Sequence, residues 1–231
     1  MDVNSIARIA IVLALFLVGA ALPAAGESSR AERFSTLPTG TKIAVMPLDI
    51  ELFILSADGI PEPQAEWTAK AQENIARAFR EKPLPNVEFI AVADDGDSEI
   101  EPLNRLHATV GGAIVLHHTL IPYQLPTKHG KLDWSLGESF GKMKERTGAR
   151  YVLFSYVRDS YASGQRVATI VVAAIFGVGL SGGVQNGYAS LVDLETGQIV
   201  WFNRLIRARG DLRDDAGARE TLNALLEGFP N

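Results

Sequence analysis

Residues 177–183 read GVGLSGG and fit G-x-G-x-x-G. Amides in such a turn can cradle a phosphate, provided a strand leads in and a helix leads out. The preceding ATIVVAAIF could be the strand. After Gly182 the chain continues GVQNGYASLVDLETG, which has no helical stripe and soon meets a turn. Asp193 also comes too early to hold a ribose. No nucleotide is expected here. A metal would draw on His107, His117, His118 and His129, which lie close in sequence. No H-x-x-x-H or H-E-x-x-H spacing occurs, and neighbours such as His117 and His118 point opposite ways on a strand. The acidic run Asp94, Asp95, Asp97, Glu99 and Glu101 misses the calcium-loop spacing and reads as a solvated turn.

Nucleophilic catalysis finds little support. No G-x-S-x-G occurs, and Ser155, Ser160 and Ser163 have no histidine near them in sequence. Cysteine is absent, which excludes disulfides, thiolate metal sites and a cysteine nucleophile. No catalytic residue, metal ligand or cofactor is therefore expected. The alternative carried beside this reading is a metal-dependent hydrolase using histidines in 107–129.

The whole chain bounds these readings. It has 231 residues, 47% hydrophobic and 21% charged, with a formal net charge of -5. That balance is globular and gives no basic surface for nucleic acid. The first residues, MDVNSIARIAIVLALFLVGAALPAAGESS, place Arg8 before an apolar run from Ile9 to Ala21. Small residues Ala24-Ala25-Gly26 follow, as at a signal-peptidase site. A signal peptide over 1–26, cut near Gly26, is expected. The alternative is an uncleaved N-terminal helix anchored in the inner membrane.

Residues 27–40 read as a polar linker, and 41–231 as a single α/β domain with an apolar insert at 164–186. KIAVMPLD, from Lys42 to Asp49, is β-branched and apolar and predicts a strand. ELFILSADGIPEP reads as a loop or a strand extension. Trp67, Ala71, Ile75, Ala78 and Phe79 recur at helical spacing, between Pro63 and Pro83. NVEFIAVA alternates as a strand. Residues 103–133 suggest a short strand or helix around Ala113–Leu116, then a loop. Ser135 with Glu138 forms a capping-box pattern for a helix that buries Leu136, Phe140 and Met143 and ends at Gly148. YVLFSYVR, from Tyr151 to Arg158, is a strand. Tyr188–Leu194 and Gln198–Arg207 flank Glu195-Thr196-Gly197 as a hairpin. Asp214 or Asp215 opens a final helix carrying Leu222, Leu225, Leu226 and Phe229. The order predicts a mixed sheet with helices packed on it and a C-terminal antiparallel meander.

The apolar insert leaves two readings open. No charge occurs between Arg166 and Asp193, and Val167–Val184 is nearly all apolar. Its dense part is shorter than the ~20 residues a spanning helix needs. It is either buried core or a surface that docks a partner, another copy or a bilayer. Ala173 with Gly177, and Gly179 with Gly183, give small residues four apart, as where helices approach closely. Long insertions into a connection usually have a use of their own. The docking reading takes Val172, Ile175, Phe176, Gly177, Val178, Gly179, Leu180 and Gly183 as its surface.

The stretches TKIAVMPLD, AEWTAKAQENIARAFREK, ARYVLFSYV and YASLVDLETGQIVWFNRL resemble a group of bacterial envelope proteins. The group includes the curli secretion lipoprotein, the lipoprotein activators of penicillin-binding proteins and small lipoproteins with a related core. The resemblance is carried most by the turn Asp193–Gly197 followed by Trp201, and it does not extend over 95–132. It implies an anticodon-binding-domain-like fold and an envelope assembly, scaffold or regulatory role without catalysis. This chain lacks the lipid-bearing cysteine of that group. The expected protein is periplasmic or secreted. Its expected partners are an envelope protein or its own copies, with possible membrane contact; nucleic acid and a small-molecule substrate are not expected.

Overall fold

Tyr151–Ala162 is rich in aromatic and β-branched side chains, and its two faces alternate into two cores. This strand, β6, is the axis of the computed structural model, which describes residues 27–82, 84–93, 100–138, 140–208 and 210–231. Tyr151, Leu153 and Val157 enter one core; Val152 and Phe154 enter the other. The remaining strands are β1 (Glu27–Arg30), β2 (Thr41–Val45), β3 (Asp49–Leu55), β4 (Pro61–Pro63), β5 (Val87–Ala91), β7 (Gln185–Asp193) and β8 (Ile199–Arg207). Among the described residues they form one mixed sheet in the order β1-β8-β7-β6-β2-β5. β6, β7, β8 and β1 run antiparallel as a meander. β2 and β3 share one side of β6, both parallel to it: Val45 pairs with Leu153 and Asp49 with Tyr156. Pro47, which cannot donate to a ladder, lies in the break between them.

Helices cover both faces, the mixed α/β layering expected. On one face lie α1 (Ala65–Glu81), through Ala71, Ile75 and Ala78, and α5 (Asp215–Leu225), through Ala218, Leu222 and Leu225. On the other lie α2 (Ile100–Ile114) and α3 (Gly141–Thr147), with Leu132, Leu136 and Phe140. The Asp214 carboxylate caps α5 by accepting from the Gly217 amide at 2.7 Å. The insert carries the remaining helix, α4 (Gly164–Ile175).

Several expectations need correction. Part of the polar linker is an edge strand: Glu27–Arg30 pairs with Trp201–Arg204. Of the two readings of ELFILSADGIPEP the strand extension holds: the stretch after Pro47 forms β3 and, through a tight turn, β4. Residues 100–114 are a full helix that continues as a π-helical turn, Val115–Thr119, so His117 and His118 do not lie on a strand. The capping box does not form. Ser135 Oγ accepts from the Gly137 amide at 2.9 Å and donates to the Gly197 carbonyl at 3.0 Å, and α3 begins at Gly141. The burial of Leu136, Phe140 and Met143 is nonetheless as expected. The acidic residues Asp94, Asp95, Asp97 and Glu99 lie outside the described residues.

The β7–β8 hairpin turns where its sequence indicates. The Gly197 amide donates to the Asp193 carbonyl at 2.8 Å, and the Asp193 carboxylate accepts from the Glu195 amide at 2.8 Å. Gly197 has φ of +67°, and a side chain there would strike the Gly137 carbonyl. Gly197→Ala combines left-handed strain with a backbone clash. It is expected to cost about 2–3 kcal/mol, read as a lowered urea midpoint with an unchanged slope.

Candidate docking surface

The insert leaves the sheet at Ala162, the last residue of β6, and rejoins it at Gln185, opposite Asp159. Ser163 caps α4, its Oγ accepting from the Arg166 amide at 3.1 Å. After Ile175 the chain reverses. The Val178 amide donates to the Ala173 carbonyl at 2.9 Å, and Gly177 takes φ of +74°. The return stretch lies along the helix, with Gly182 near Ile170. Arg166 ties the base: its guanidinium donates to the carbonyls of Ala57 and Ser181.

No residue of α4 is buried. Val172 is 54% exposed, Ile175 76%, Phe176 79% and Val178 51%. Val167 and Val171 are exposed as well, so α4 turns an apolar face to solvent while Arg166, Thr169, Ile170 and Ala173 are half-buried. The apolar face of a helix is ordinarily turned to the core; here much of it stands in solvent. The buried-core alternative does not describe this segment. The proposed surface residues are not uniform. Gly177 and Gly179 are open, whereas Leu180 is half-buried and Gly183 lies against the Ser160 backbone. Gly177, Gly179 and Gly183 also fall beyond the helix, so the small residues four apart do not form a helix–helix seam. The G-x-G-x-x-G string follows a helix and leads into a strand, the reverse of a phosphate turn. Among the described residues no helix is long and apolar enough to cross a membrane.

Beneath the insert lies a polar network that sequence reading missed. The Asp159 carboxylate, buried, accepts from Tyr161 Oη at 2.6 Å and Gln185 Nε2 at 2.8 Å. Thr221 Oγ1 donates to Gln185 Oε1 at 2.9 Å, and the Leu212 amide donates to Tyr161 Oη at 3.0 Å. Nearby, Arg213 grips Asp211 with two hydrogen bonds of 2.8 and 2.6 Å and lies over the rings of Tyr161 and Trp67. The network faces a cavity of about 430 Å³ walled by Ser181–Val184, Ala208 and Gly210. It fixes the root of the insert to α5 and the loop before it.

Burial pushes the Asp159 carboxyl above the usual carboxylate range; the hydrogen bonds from Tyr161 and Gln185 oppose this, and the Asp211 charge adds to it. A raised carboxyl favours the folded state when protonated. Its contribution is present below the ordinary carboxylate value and is lost as pH rises through the folded value. Asp159→Asn keeps a neutral acceptor. It is expected to raise the melting midpoint near about pH 8 and to change it little near about pH 3. A lowered midpoint at both pH values would show that the charge itself holds the network.

The histidines do not converge. His107 is buried, stacked on Phe154 at 4.8 Å, with Nε2 2.7 Å from Ser190 Oγ. This Ser–His contact is sealed in the core beside Tyr188, where no substrate reaches it. His117 Nδ1 meets the Tyr123 carbonyl, and His118 Nε2 meets Ser29 Oγ. His129 ends a short 3₁₀ turn. Among the described residues no group of three metal-ligating side chains gathers. A second concavity, about 810 Å³, runs between α1 and the edge strand β5, with Met46, Phe79, Leu84 and Phe89 in its wall. Its residues come from three segments, which no local pattern joins.

No family model matches the chain, and no curated protein matches it. Among solved structures, a dodecamer of a PelC variant from Paraburkholderia phytofirmans is similar at 14% identity. That match covers 89% of this chain and 98% of that one, with a TM-score of 0.41. The LpoB C-terminal domain from Salmonella enterica matches at 14% identity over 78% of this chain and 88% of that one, TM-score 0.29. Lipoprotein GNA1162 from Neisseria meningitidis matches at 13% over 82% and 97%, TM-score 0.31. Identities of this size leave function to be read from this chain's own residues.

Proposed function

We propose that this chain is an exported, non-enzymatic envelope protein with an assembly, scaffold or regulatory role, and that it docks a partner or a membrane through the insert 167–184. The observation that carries the reading is the exposure of Val172, Ile175, Phe176 and Val178 on an element that belongs to neither hydrophobic core. Each such side chain stands to gain about 1.5–3 kcal/mol on leaving water. Exposed apolar surface of this density marks an interaction site. The fold does not need the insert for its own core: both hydrophobic clusters close without any residue of α4. The histidine-based hydrolase has no gathered ligands among the described residues to support it. The test is the paired substitution Val172→Asp and Phe176→Asp, followed by fractionation of the native envelope. Release of a folded protein supports docking; retention overturns it.

A further inference from the structure

The main path of the sheet ends at β1 and at β5. β1 reads ESSR and is polar, whereas β5 reads VEFIA, with no lysine or proline to guard its edge. The Val92 amide donates to the Val45 carbonyl of β2 at 2.9 Å. Backbone groups alternate in direction along a strand, so Glu88 and Ile90 also turn theirs toward β2. The N–H and C=O groups of Val87, Phe89 and Ala91 therefore point away from it. Among the described residues β5 pairs with β2 alone, so these groups have no strand beside them. Side chains alternate with the same period. Val87, Phe89 and Ala91 all line the concavity of about 810 Å³ between α1 and β5. One row of residues thus offers an unpaired backbone and the apolar floor of a groove.

We propose that this groove binds an extended segment of a partner protein, which adds to β5 as a further strand and runs antiparallel to it. The site is separate from the insert and does not rest on docking there. Main-chain hydrogen bonds to an open edge, with alternate side chains in an adjoining groove, are the two halves of strand addition. Every second side chain of the added strand lies between Phe89 and the Ala76 and Phe79 face of α1. An acyl chain would fill the apolar space but leave the outward amides and carbonyls of β5 bare, and so would a helix. Direction follows from charge. Phe79 meets Phe89 edge-on with ring centroids 5.9 Å apart. The next residues of α1 and its exit, Arg80, Lys82 and Leu84, lead to the Val87 end of β5. Arg77 and Glu81 are engaged by Asp215 and Arg219 of α5. Arg80 is exposed at the groove, and Lys82 Nζ donates to the uncharged Asn223 side chain at 2.6 Å. Two cations at that end suit an acidic side chain or a free carboxylate. That anion falls at the C-terminal side of a strand antiparallel to β5.

The test selects random peptides with free C-termini, displayed on phage, on the purified full chain. Enriched sequences are expected to place apolar residues at every second position and an acidic residue at the C-terminal side. A synthetic peptide of enriched sequence should slow hydrogen exchange at the Val87, Phe89 and Ala91 amides. Ala91→Pro removes an outward N–H that the ladder to β2 does not use, and an edge tolerates proline there. It is expected to weaken the peptide roughly tenfold with little change in melting temperature. Arg80→Glu alters an exposed side chain and should weaken it a few-fold, a loss that shrinks as salt is raised. Val172→Asp with Phe176→Asp should leave the peptide's affinity unchanged, which separates this site from the insert. No enriched sequence, or a peptide whose affinity ignores both β5-side variants, overturns the proposal. So does binding of laurate with no peptide enriched, which assigns the concavity to an acyl chain. Protection of the three amides on raising protein concentration alone assigns the edge to a second copy and overturns it as well.

Discussion

Val172→Asp with Phe176→Asp is expected to weaken attachment through the insert by roughly a hundredfold or more while leaving the fold's stability nearly unchanged. Removing two apolar side chains from an apolar contact forfeits about 3–6 kcal/mol, and every ~1.4 kcal/mol is tenfold in affinity. Carrying two carboxylates into an apolar contact costs more again. The fold should hardly respond, because both positions are more than half exposed and belong to neither core. Surface changes of this kind fall within about 0.5 kcal/mol. A small local cost is expected. The two charges stand four apart on one helix face, and they sit at its C-terminal end, where the dipole disfavours them by a few tenths of a kcal/mol. Thermal denaturation of the purified variant and its distribution between soluble and membrane fractions read the two effects separately. A large drop in melting temperature would mean the insert is core after all; unchanged partition would remove the docking reading.

His107 controls the second large effect, on acid stability. Burial against Phe154 and Tyr188 lowers its pKa from 6.5 to about 3. The folded state therefore binds this proton far less readily than the unfolded chain. Stability from the neutral ring is fully present above pH 6.5 and is lost as pH falls toward about 3. At about pH 4 the loss amounts to roughly 3 kcal/mol, at 1.36 kcal/mol per pH unit. That is a large part of the 5–15 kcal/mol typical of a domain. The groups around the ring are Phe154, Tyr188 and the Ser190 hydroxyl, none of which offers a charge to offset the imidazolium. Asp159 acts in the opposite sense and gains as pH falls. His107→Gln keeps a polar partner for Ser190 but cannot ionise. It is expected to cost about 1–2 kcal/mol near neutrality through lost stacking, and to flatten the acid arm so that the two stability curves cross between about pH 5 and 6 and the variant is the more stable at about pH 4. Urea midpoints across the pH series measure this. An equally steep acid arm in the variant would assign acid unfolding to other groups.

Elements with a local pattern were legible in the sequence. α1 showed itself through Ala71, Ile75 and Ala78, because a stripe at 3.6-residue spacing needs no knowledge of what covers it. The β7–β8 hairpin was legible because its turn satisfies itself: Asp193, Thr196 and Gly197 make their hydrogen bonds with near neighbours. The start of α5 was equally local, since Asp214 caps it from three residues away. The absence of cysteine excluded thiolate chemistry from composition alone.

The rest depended on partners distant in sequence. β1 has no apolar alternation to announce it; it exists because its backbone completes the edge of β8, more than 170 positions away in register. Ser135 carries a capping pattern, but its hydroxyl finds the Gly197 carbonyl instead, and that carbonyl is brought near only by the folded hairpin. His107 reads as one of four clustered histidines until α2 lays it on Phe154 and Ser190. The insert is the sharpest case. The residues of α4 would be equally apolar inside a core, since side-chain chemistry is the same whichever medium surrounds it. Whether they face protein or solvent turns on whether a second layer is left to cover them, and both faces of the sheet already spend their helices elsewhere. Sequence by itself determined which segments avoid water; only the tertiary structure decided which of them the protein could not cover.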